Sequence, residues 1–208
     1  MATSGLTVVT SNGLVPGRGH VDVATAAIAG GAHAVQLRAK GLDDRGLLEL
    51  AATLVALCGP AGVALIVNDR LDVALAADAS GVHLGQDDLV PEARRLLGSD
   101  RILGVSVADA DDARTAAAAG ADYLGVTVFS TRTKSDARPV GLDGLARVAA
   151  ATALPVVAIG GITADRVRAV LEAGASGIAV VSAVGAAPDP VAATRALVER
   201  VALQRGPD

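Results

Sequence analysis

The chain alternates short apolar runs with alanine-rich stretches eight times, and this alternation constrains its fold more than any other feature. Each unit has an apolar run of strand length, a polar tip and a segment with helical periodicity, which is the pattern of β-α units. Small-residue turns with glycine, a residue suited to helix C-termini, precede the even-numbered strands. The predicted strands lie near residues 6–11, 34–39, 63–68, 81–86, 102–107, 123–128, 155–160 and 177–182.

Eight β-α units in 208 residues predict an α/β fold, a single-domain (β/α)8 barrel that spans residues 1–208. A closed barrel needs at least ~200 residues, so the loops must be short and no second domain fits. An open doubly wound sheet is the alternative. Because the chain is 51% hydrophobic but only 1% aromatic, the core must consist of Ala, Val, Leu and Ile.

Charge and cysteine content exclude several classes of function. The net charge is −4 and no block of Lys or Arg is present, which argues against binding to nucleic acid or to a membrane surface. Every apolar run is broken before it reaches membrane-spanning length. Cys58 is the only cysteine, so no internal disulfide can form, and we expect a cytoplasmic protein. Whether it forms a homo-oligomer stays open.

The polar tips of the strands are the candidate site residues, because active sites of β/α barrels lie at the C-terminal ends of the strands. Strand 2 ends in Gln36-Leu-Arg-Ala-Lys40. Side chains alternate along a strand, so Gln36, Arg38 and Lys40 can share one face. Two cations beside an amide indicate an anion site, and a solvated strand end is the alternative interpretation.

Two carboxylates, Asp69 and Asp88, follow strands 3 and 4, which we expect to be neighbours in the barrel. Carboxylates brought together in this way could both ligate Mg²⁺. Alternatively, Asp69 caps a helix that begins near Leu71, and Asp87 or Asp88 is a cap or a first-turn acid. The cations of strand 2 on the same rim favour a metal-bound polyphosphate over capping.

Hydroxyls and another cation follow strands 5 and 6. Strand 5 ends at Ser106, and the segment after strand 6 contains Thr131, Thr133 and Lys134. These groups could bind phosphate oxygens, with Lys134 as the preferred cation. The alternative is a mobile polar loop.

The segments after strands 7 and 8 have the character of a phosphate-binding site. Strand 7 runs into Gly160-Gly161 and strand 8 into Val181-Ser182. Glycines let a ligand approach the backbone, and free N–H groups at a helix start attract an anion. A tight turn with unusual backbone angles is the alternative for the glycine pair.

The histidines suggest neither a metal site nor a catalytic triad. His83 lies inside strand 4, His33 at a turn and His20 in the first loop, without metal-ligand spacing. We interpret all three as structural or solvent-facing. No Ser/His/Asp arrangement and no Walker-type lysine loop is visible in the sequence.

Taken together, these motifs resemble the thiamine phosphate synthase family over almost the whole chain. The order and spacing of the motifs carry the resemblance. They are Gln36-Leu-Arg-Ala-Lys40, Val67-Asn-Asp69, Gly81-Val-His-Leu-Gly-Gln-Asp-Asp88, Gly104-Val-Ser106, Ala121-Asp-Tyr-Leu-Gly125, Thr131-Arg-Thr-Lys134, Val157-Ala-Ile-Gly-Gly-Ile162 and Val180-Val-Ser-Ala183.

The resemblance implies a (β/α)8 barrel that joins hydroxymethylpyrimidine diphosphate to a thiazole phosphate, giving thiamine phosphate and pyrophosphate. It implies a dissociative reaction in which the diphosphate leaves first and the thiazole nitrogen captures the pyrimidine cation. Mg²⁺ would be held by Asp69 and Asp88. The pyrimidine diphosphate would contact Gln36, Arg38, Lys40, Asn68, Ser106 and Lys134, of which Arg38, Ser106 and Lys134 would be catalytic. The thiazole phosphate would contact Thr131, Thr133, Gly161, Val181 and Ser182.

The stretch after strand 6 departs from the family pattern. It reads Gly125-Val-Thr-Val-Phe-Ser-Thr131, one residue shorter than the usual Gly-Pro, aromatic, Pro, Thr sequence. Here the chain resembles the thiazole tautomerases, which share the barrel and use a histidine at the position of Thr127. Threonine cannot replace that base at neutral pH. The retained carboxylates and cations favour the synthase.

Two further alternatives remain at this stage. A non-catalytic barrel that binds a phosphorylated metabolite would keep the phosphate loops without turnover. An amino-sugar or histidine-pathway isomerase would need an acid and a base on opposed strands, yet strand 1 ends in Thr10-Ser-Asn12 without a carboxylate.

Overall fold

A computed structural model describes residues 4–86, 88–130 and 138–205. Eight parallel strands pair in chain order and close into a barrel, with the last strand beside the first. The predicted (β/α)8 barrel is confirmed, and the open sheet is excluded. The strands are β1 (Leu6–Val9), β2 (Ala34–Leu37), β3 (Ala64–Asn68), β4 (Gly81–Leu84), β5 (Ile102–Val107), β6 (Tyr123–Thr127), β7 (Val156–Ile159) and β8 (Gly177–Val180).

Helices follow the strands and cover the barrel. The α-helices in the described residues are α1 (His20–Ala29), α2 (Asp44–Cys58), α3 (Leu71–Ala76), α4 (Val90–Leu97), α5 (Ala110–Ala118), α6 (Gly141–Ala150), α7 (Val167–Glu172), α8 (Ser182–Gly185) and α9 (Pro190–Arg205). One turn, α8, comes between β8 and the long closing helix and was not part of the predicted pattern. Among these helices, none combines the length and apolar character required to cross a membrane.

Local sequence signals account for several helix starts. Asp43 precedes α2, and its carboxylate accepts a hydrogen bond from the Gly46 N–H at 2.8 Å. Asp109 precedes α5 and accepts from two N–H groups of the first turn. Both are side-chain caps of N–H groups that lack a partner within the helix. His20, expected in the first loop, instead opens α1, where it is buried with Nδ1 2.7 Å from Thr10 Oγ1.

The core consists of aliphatic side chains, as composition predicts. A continuous layer between the sheet and the helices includes Leu37, Leu54, Leu65, Leu124 and Ile178, each at most 1% exposed. A second, smaller cluster inside the barrel contains Val9, Tyr123, Val157 and Ala179. Most of the buried apolar side chains lie in the helix-facing layer. The barrel interior near the C-terminal ends of the strands can therefore carry polar groups.

Several strands end earlier than predicted. The second strand ends at Leu37 and the eighth at Val180, so Arg38 belongs to the loop that follows β2, and Ser182 opens α8. Strand pairing in β2 and β8 therefore stops before Arg38 and Ser182, which lie at the C-terminal end of the barrel.

Candidate active site

A pocket opens at the C-terminal end of the barrel, with about 960 Å³ of empty space including its mouth. Seven of the predicted site residues line it, namely Gln36, Arg38, Asn68, Ser106, Gly161, Val181 and Ser182. Its other lining residues include Thr7, Val9, His83, Tyr123, Gly125, Thr127, Val157, Ile159, Gly160 and Ile162.

A polar network crosses the floor of the pocket and joins four strands. His83 Nδ1 lies 2.9 Å from the Tyr123 hydroxyl, and His83 Nε2 lies 3.0 Å from Ser106 Oγ. The side chain of Gln36 also hydrogen-bonds to Tyr123. The network therefore runs from β2 through β6 and β4 to β5, and it uses both ring nitrogens of the histidine.

Burial keeps the phenol of Tyr123 protonated. Loss of solvent raises the pKa of this buried side chain, and its hydrogen bond with Gln36 offsets the rise only in part. A phenol with a raised pKa stays neutral at physiological pH. Tyr123 therefore acts in the network as a hydrogen-bonding group rather than as a base.

Two glycines make room for these rings. A Cβ at Gly104 would lie 2.2 Å from Tyr123 Cζ and 2.5 Å from His83 Nδ1. A Cβ at Gly125 would lie 2.8 Å from His83 Cε1. The barrel register places His83 beside Gly104, and Gly104 beside Tyr123. Glycine at these two positions is therefore a condition for the network to exist.

The strand 2 residues are only partly brought to the pocket. Gln36 is 7% exposed and Arg38 is half-buried at the wall. The Arg38 backbone N–H donates to Thr10 Oγ1 at 3.4 Å. Lys40, by contrast, is exposed and is not part of the wall.

The two predicted metal ligands lie on the rim, outside the pocket wall. Asp69 directly follows β3 with φ of 64°, a left-handed conformation that costs a non-glycine residue of the order of 1–2 kcal/mol. The Asp88 carboxylate accepts the Gly85 N–H at 2.6 Å. The cap positions of α3 and α4 are held by Arg70 and Leu89, so neither aspartate is the N-cap of the helix that follows it.

Within the described ranges, no three His, Cys, Asp or Glu side chains group as a metal centre. Any metal held by Asp69 and Asp88 would thus complete its coordination with other oxygen donors. Asp87 lies outside the described residues, as do three predicted phosphate ligands, Thr131, Thr133 and Lys134.

On the opposite side, the glycine pair packs closely under the chain that leaves β6. Gly160 and Gly161 have φ of 88° and 59°. A Cβ at Gly160 would lie 2.7 Å from the Phe129 carbonyl oxygen, and one at Gly161 would lie 2.9 Å from the Ser130 carbonyl oxygen. The pair therefore has both reasons for glycine, a left-handed backbone and a close approach.

Arg166 links the same two loops. Its guanidinium donates to the Gly161 carbonyl at 2.8 Å and lies 4.5 Å from the centroid of the Phe129 ring. A cation over an aromatic face is attracted by the electrons of the ring. Arg166 thereby fixes the beginning of the loop after β6 against the loop after β7.

Sequence reasoning missed His83, Tyr123 and Arg166. The interpretation of His83 as structural or solvent-facing is incomplete, because its ring faces the pocket and contacts Ser106. One signal was present in the sequence: a histidine inside strand 4, with glycines in strands 5 and 6, Gly104 and Gly125, that leave room for its ring. For His33, which is exposed and accepts the Leu6 N–H at 3.2 Å, the interpretation holds.

A family model and curated relatives resemble this chain. Residues 6–184 match the model described as thiamine monophosphate synthase. A thiamine-phosphate synthase of Moorella thermoacetica is 50% identical over 204 residues, 97% of each chain. Another, of Chloroflexus aurantiacus, is 54% identical over 195 residues, 92% of this chain and 90% of its own.

Solved structures agree with these relatives. Thiamine phosphate pyrophosphorylase from Pyrococcus furiosus superposes with a TM-score of 0.87 at 41% identity and covers 96% of both chains. A 3-hexulose-6-phosphate synthase from Salmonella typhimurium gives a TM-score of 0.72 at 16% identity, with 96% and 99% covered, which is a likeness of fold alone.

Proposed function

The chain belongs to the thiamine monophosphate synthase family and acts as a transferase, a thiamine phosphate synthase, and from this premise we propose how its pocket works. The pocket joins hydroxymethylpyrimidine diphosphate to thiazole phosphate and releases pyrophosphate. Thiamine phosphate is the product. The observation that supports this most is that one pocket is lined both by Arg38 and Ser106, which suit a diphosphate, and by the Gly160-Gly161 turn, which suits a second phosphate.

The first side holds the pyrimidine diphosphate. The amides of Gln36 and Asn68 give neutral donors and acceptors for the pyrimidine, and the guanidinium of Arg38 pairs with diphosphate oxygens. We propose that Lys40 and Lys134 bind the same diphosphate, as the family resemblance implies. No carboxylate is part of the described pocket wall, so this side contributes positioning and charge neutralisation rather than a strong base.

The rim carboxylates of Asp69 and Asp88 suit Mg²⁺. They are hard oxygen donors at the ends of adjacent strands, and Mg²⁺ in phosphate-binding sites commonly takes one or two carboxylates together with water and substrate oxygens. The strained backbone of Asp69 supports a functional role for this residue, because such strain is found mainly at functional sites. Bound there, Mg²⁺ would neutralise charge on the departing diphosphate.

The second side holds the thiazole phosphate. Gly161, Val181 and Ser182 line this part of the pocket, and α8 begins at Ser182. Loops after strands 7 and 8, together with a short extra helix, commonly bind phosphate in β/α barrels. We propose that Thr131 and Thr133 also bind this phosphate, as the family resemblance implies.

A dissociative reaction needs these two sides to do different work. The diphosphate side stabilises the charge of a leaving group, and the phosphate side aims the thiazole nitrogen at the pyrimidine cation. The buried apolar residues Val157 and Ile162 beside the pocket limit the access of water that would otherwise trap the cation.

The tautomerase alternative needs a base where Thr127 stands. Thr127 ends β6 and lines the pocket, and its hydroxyl does not ionise at neutral pH. A tautomerase would move a proton without releasing pyrophosphate. A binding protein would retain the ligands unchanged.

The deciding experiment mixes purified protein with both phosphorylated substrates and Mg²⁺ and measures pyrophosphate and thiamine phosphate. We expect both products in equal amounts, and neither when thiazole phosphate or Mg²⁺ is omitted. Isomerised thiazole without pyrophosphate would identify a tautomerase instead. Binding of both substrates without any product would identify a binding protein.

We also propose that the whole chain, residues 1–208, forms one domain that acts in the cytoplasm on small phosphorylated molecules. Its proposed substrates are strongly charged and do not cross membranes unaided. The net charge of −4 does not favour nucleic acid or an anionic membrane surface as a partner.

A further inference from the structure

The histidine in the pocket floor holds a serine on one side and a tyrosine on the other. Its Nδ1 lies 2.9 Å from the Tyr123 hydroxyl and its Nε2 lies 3.0 Å from Ser106 Oγ. Both ring nitrogens thus contact groups of the protein. A histidine with this pattern is not set up as a base toward a ligand, because a base needs a nitrogen directed at the proton it removes.

We infer that His83 and Tyr123 are positioning residues that orient the Ser106 hydroxyl so that it donates its hydrogen to the pyrimidine diphosphate. The inference rests on the proposed function, which places that substrate against Ser106. It assigns a specific task to two residues that the strand-tip pattern did not predict.

The hydrogen bonds of this network can run in one of two directions. If the Tyr123 hydroxyl donates to Nδ1, then Nε2 carries the hydrogen and donates to Ser106 Oγ. The serine hydrogen is then free to point into the pocket. In the opposite direction Ser106 donates to Nε2 and presents only lone pairs to the pocket.

A diphosphate offers acceptor oxygens and has few hydrogens to give, so only the first direction complements it. Gln36 is consistent with that direction, because its amide NH₂ can donate to the Tyr123 oxygen while the phenol donates onward. The network then runs in a single direction from Gln36 to the substrate, and each bond polarises the next.

The packing around the rings restricts this arrangement to one geometry. Side-chain atoms at Gly104 or Gly125 would overlap the rings, since a Cβ there would lie 2.5 Å from His83 Nδ1 and 2.8 Å from His83 Cε1, respectively. Tyr123 is 7% exposed and its ring centroid lies 5.4 Å from that of His83. Rings packed so closely cannot easily rotate. The position of the hydrogen on the His83 ring is therefore what can still vary.

The tautomer can be measured directly in the intact protein. Nitrogen NMR of protein labelled with ¹⁵N-histidine distinguishes hydrogen on Nε2 from hydrogen on Nδ1, and His83→Gln assigns the signals among the three histidines. We expect His83 to carry hydrogen on Nε2 at neutral pH, and to become a mixture of tautomers in Tyr123→Phe. Hydrogen on Nδ1, or on both nitrogens, in the wild-type protein would overturn the inference.

Kinetics test whether the effect passes through Ser106. Tyr123→Phe should lower kcat about 10-fold, the usual consequence of losing one oriented hydrogen bond, with KM for thiazole phosphate unchanged. In a Ser106→Ala background the same substitution should have no further effect, because the group being oriented is gone. Effects that multiply in the double variant would contradict a positioning role.

Thr194→Val is the matched control. Thr194 is a buried hydroxyl in α9 that donates to the Pro190 carbonyl at 2.7 Å, and it is not part of the pocket wall. Its loss should leave kcat and the His83 signals unchanged. If the wild-type protein fails to make thiamine phosphate, the proposed function is wrong, whereas a wild-type protein with turnover but with the opposite tautomer contradicts only the inference.

Discussion

The two ends of the barrel use the same kinds of side chain in opposite ways. At the N-terminal end, side chains accept hydrogen bonds from the backbone where strands begin. There the backbone N–H groups of three strand-start residues donate to side chains, Leu6 to His33 Nδ1 (3.2 Å), Leu65 to Ser80 Oγ (3.1 Å) and Leu103 to Asp122 Oδ2 (2.7 Å). At the C-terminal end, hydroxyls and amides instead bond to one another around a pocket.

Two half-buried arginines show the difference most clearly. Arg94, at the N-terminal end, donates to the carbonyls of Gly98, Arg101 and Gly120 and pairs with Asp122 at 2.5 Å. The Arg38 guanidinium has no hydrogen bond or ion pair to any residue that the structure describes, and it lines the pocket. Arg94 stabilises the fold, and we propose that Arg38 binds a ligand, as expected for the two ends of a β/α barrel.

The strongest test concerns the rim carboxylates. Asp88→Asn keeps an oxygen that can accept the Gly85 N–H but removes the charge. We expect synthase turnover to fall about 1,000-fold at Mg²⁺ concentrations that saturate the wild type, because several kcal/mol of charge stabilisation is lost. Thermal unfolding should be unchanged. Wild-type turnover in this variant would remove Asp88 from the site.

The arginine pair can be compared by parallel substitution. Arg38→Ala should lower kcat/KM about 100-fold with little change in the free energy of unfolding, since its guanidinium bonds to none of the residues that the structure describes. Arg94→Ala should lower the free energy of unfolding by about 2 kcal/mol, because several carbonyls lose their donor, and should leave kcat/KM near wild type. Steady-state kinetics and urea denaturation measure both. Equal changes in kcat/KM and in the free energy of unfolding for the two variants would contradict the proposed difference between the arginines.

The glycine pair gives a smaller effect with a well-matched control. Gly160 and Gly31 both have φ of 88°, but a Cβ at Gly31 meets nothing within 4 Å, whereas at Gly160 it would lie 2.7 Å from the Phe129 carbonyl. Gly31→Ala should cost only the backbone strain, about 1 kcal/mol. Gly160→Ala should also displace the loop after β6 and raise KM for thiazole phosphate about 10-fold. Equal effects of both substitutions would show that close approach at Gly160 has no importance.

The least change is expected at Cys58, which ends α2 and is 1% exposed. Burial raises the pKa of its thiol to about 11. A raised thiol pKa leaves little thiolate at neutral pH, so a disulfide reagent should react only after denaturant is added. Stability from the neutral buried thiol is complete below the unfolded pKa of ~8.5 and falls as pH rises toward 11. Cys58→Ala should abolish that part of the alkaline loss without changing turnover.

Period and composition were enough to predict the barrel, because eight apolar runs separated by helical stretches leave few other arrangements. The rule that barrel sites lie at the C-terminal ends of the strands placed Gln36 and Arg38 at the pocket, and the family resemblance added Asn68. Lys40 lies beyond the end of β2, where the alternation of a strand no longer decides which way a side chain points.

The network of His83 and Tyr123 was beyond sequence reasoning for a different reason. Its contacts depend on the register between β4, β5 and β6, which sets which residues stand side by side. Period alone assigns a side chain to a face, not to a neighbour. The conformation of Asp69 depends likewise on how the chain turns after β3, and no local pattern specifies that turn.

The position of the single tyrosine gives the protein an internal optical probe. The chain has no tryptophan, and its one tyrosine, Tyr123, lies in the pocket floor. Nearly all of its near-ultraviolet absorption and emission therefore originates at the site of the proposed chemistry. Substrate arrival, which changes the surroundings of that phenol, should be visible in real time without any attached dye, and the phenolate band should appear only above the ordinary tyrosine pKa.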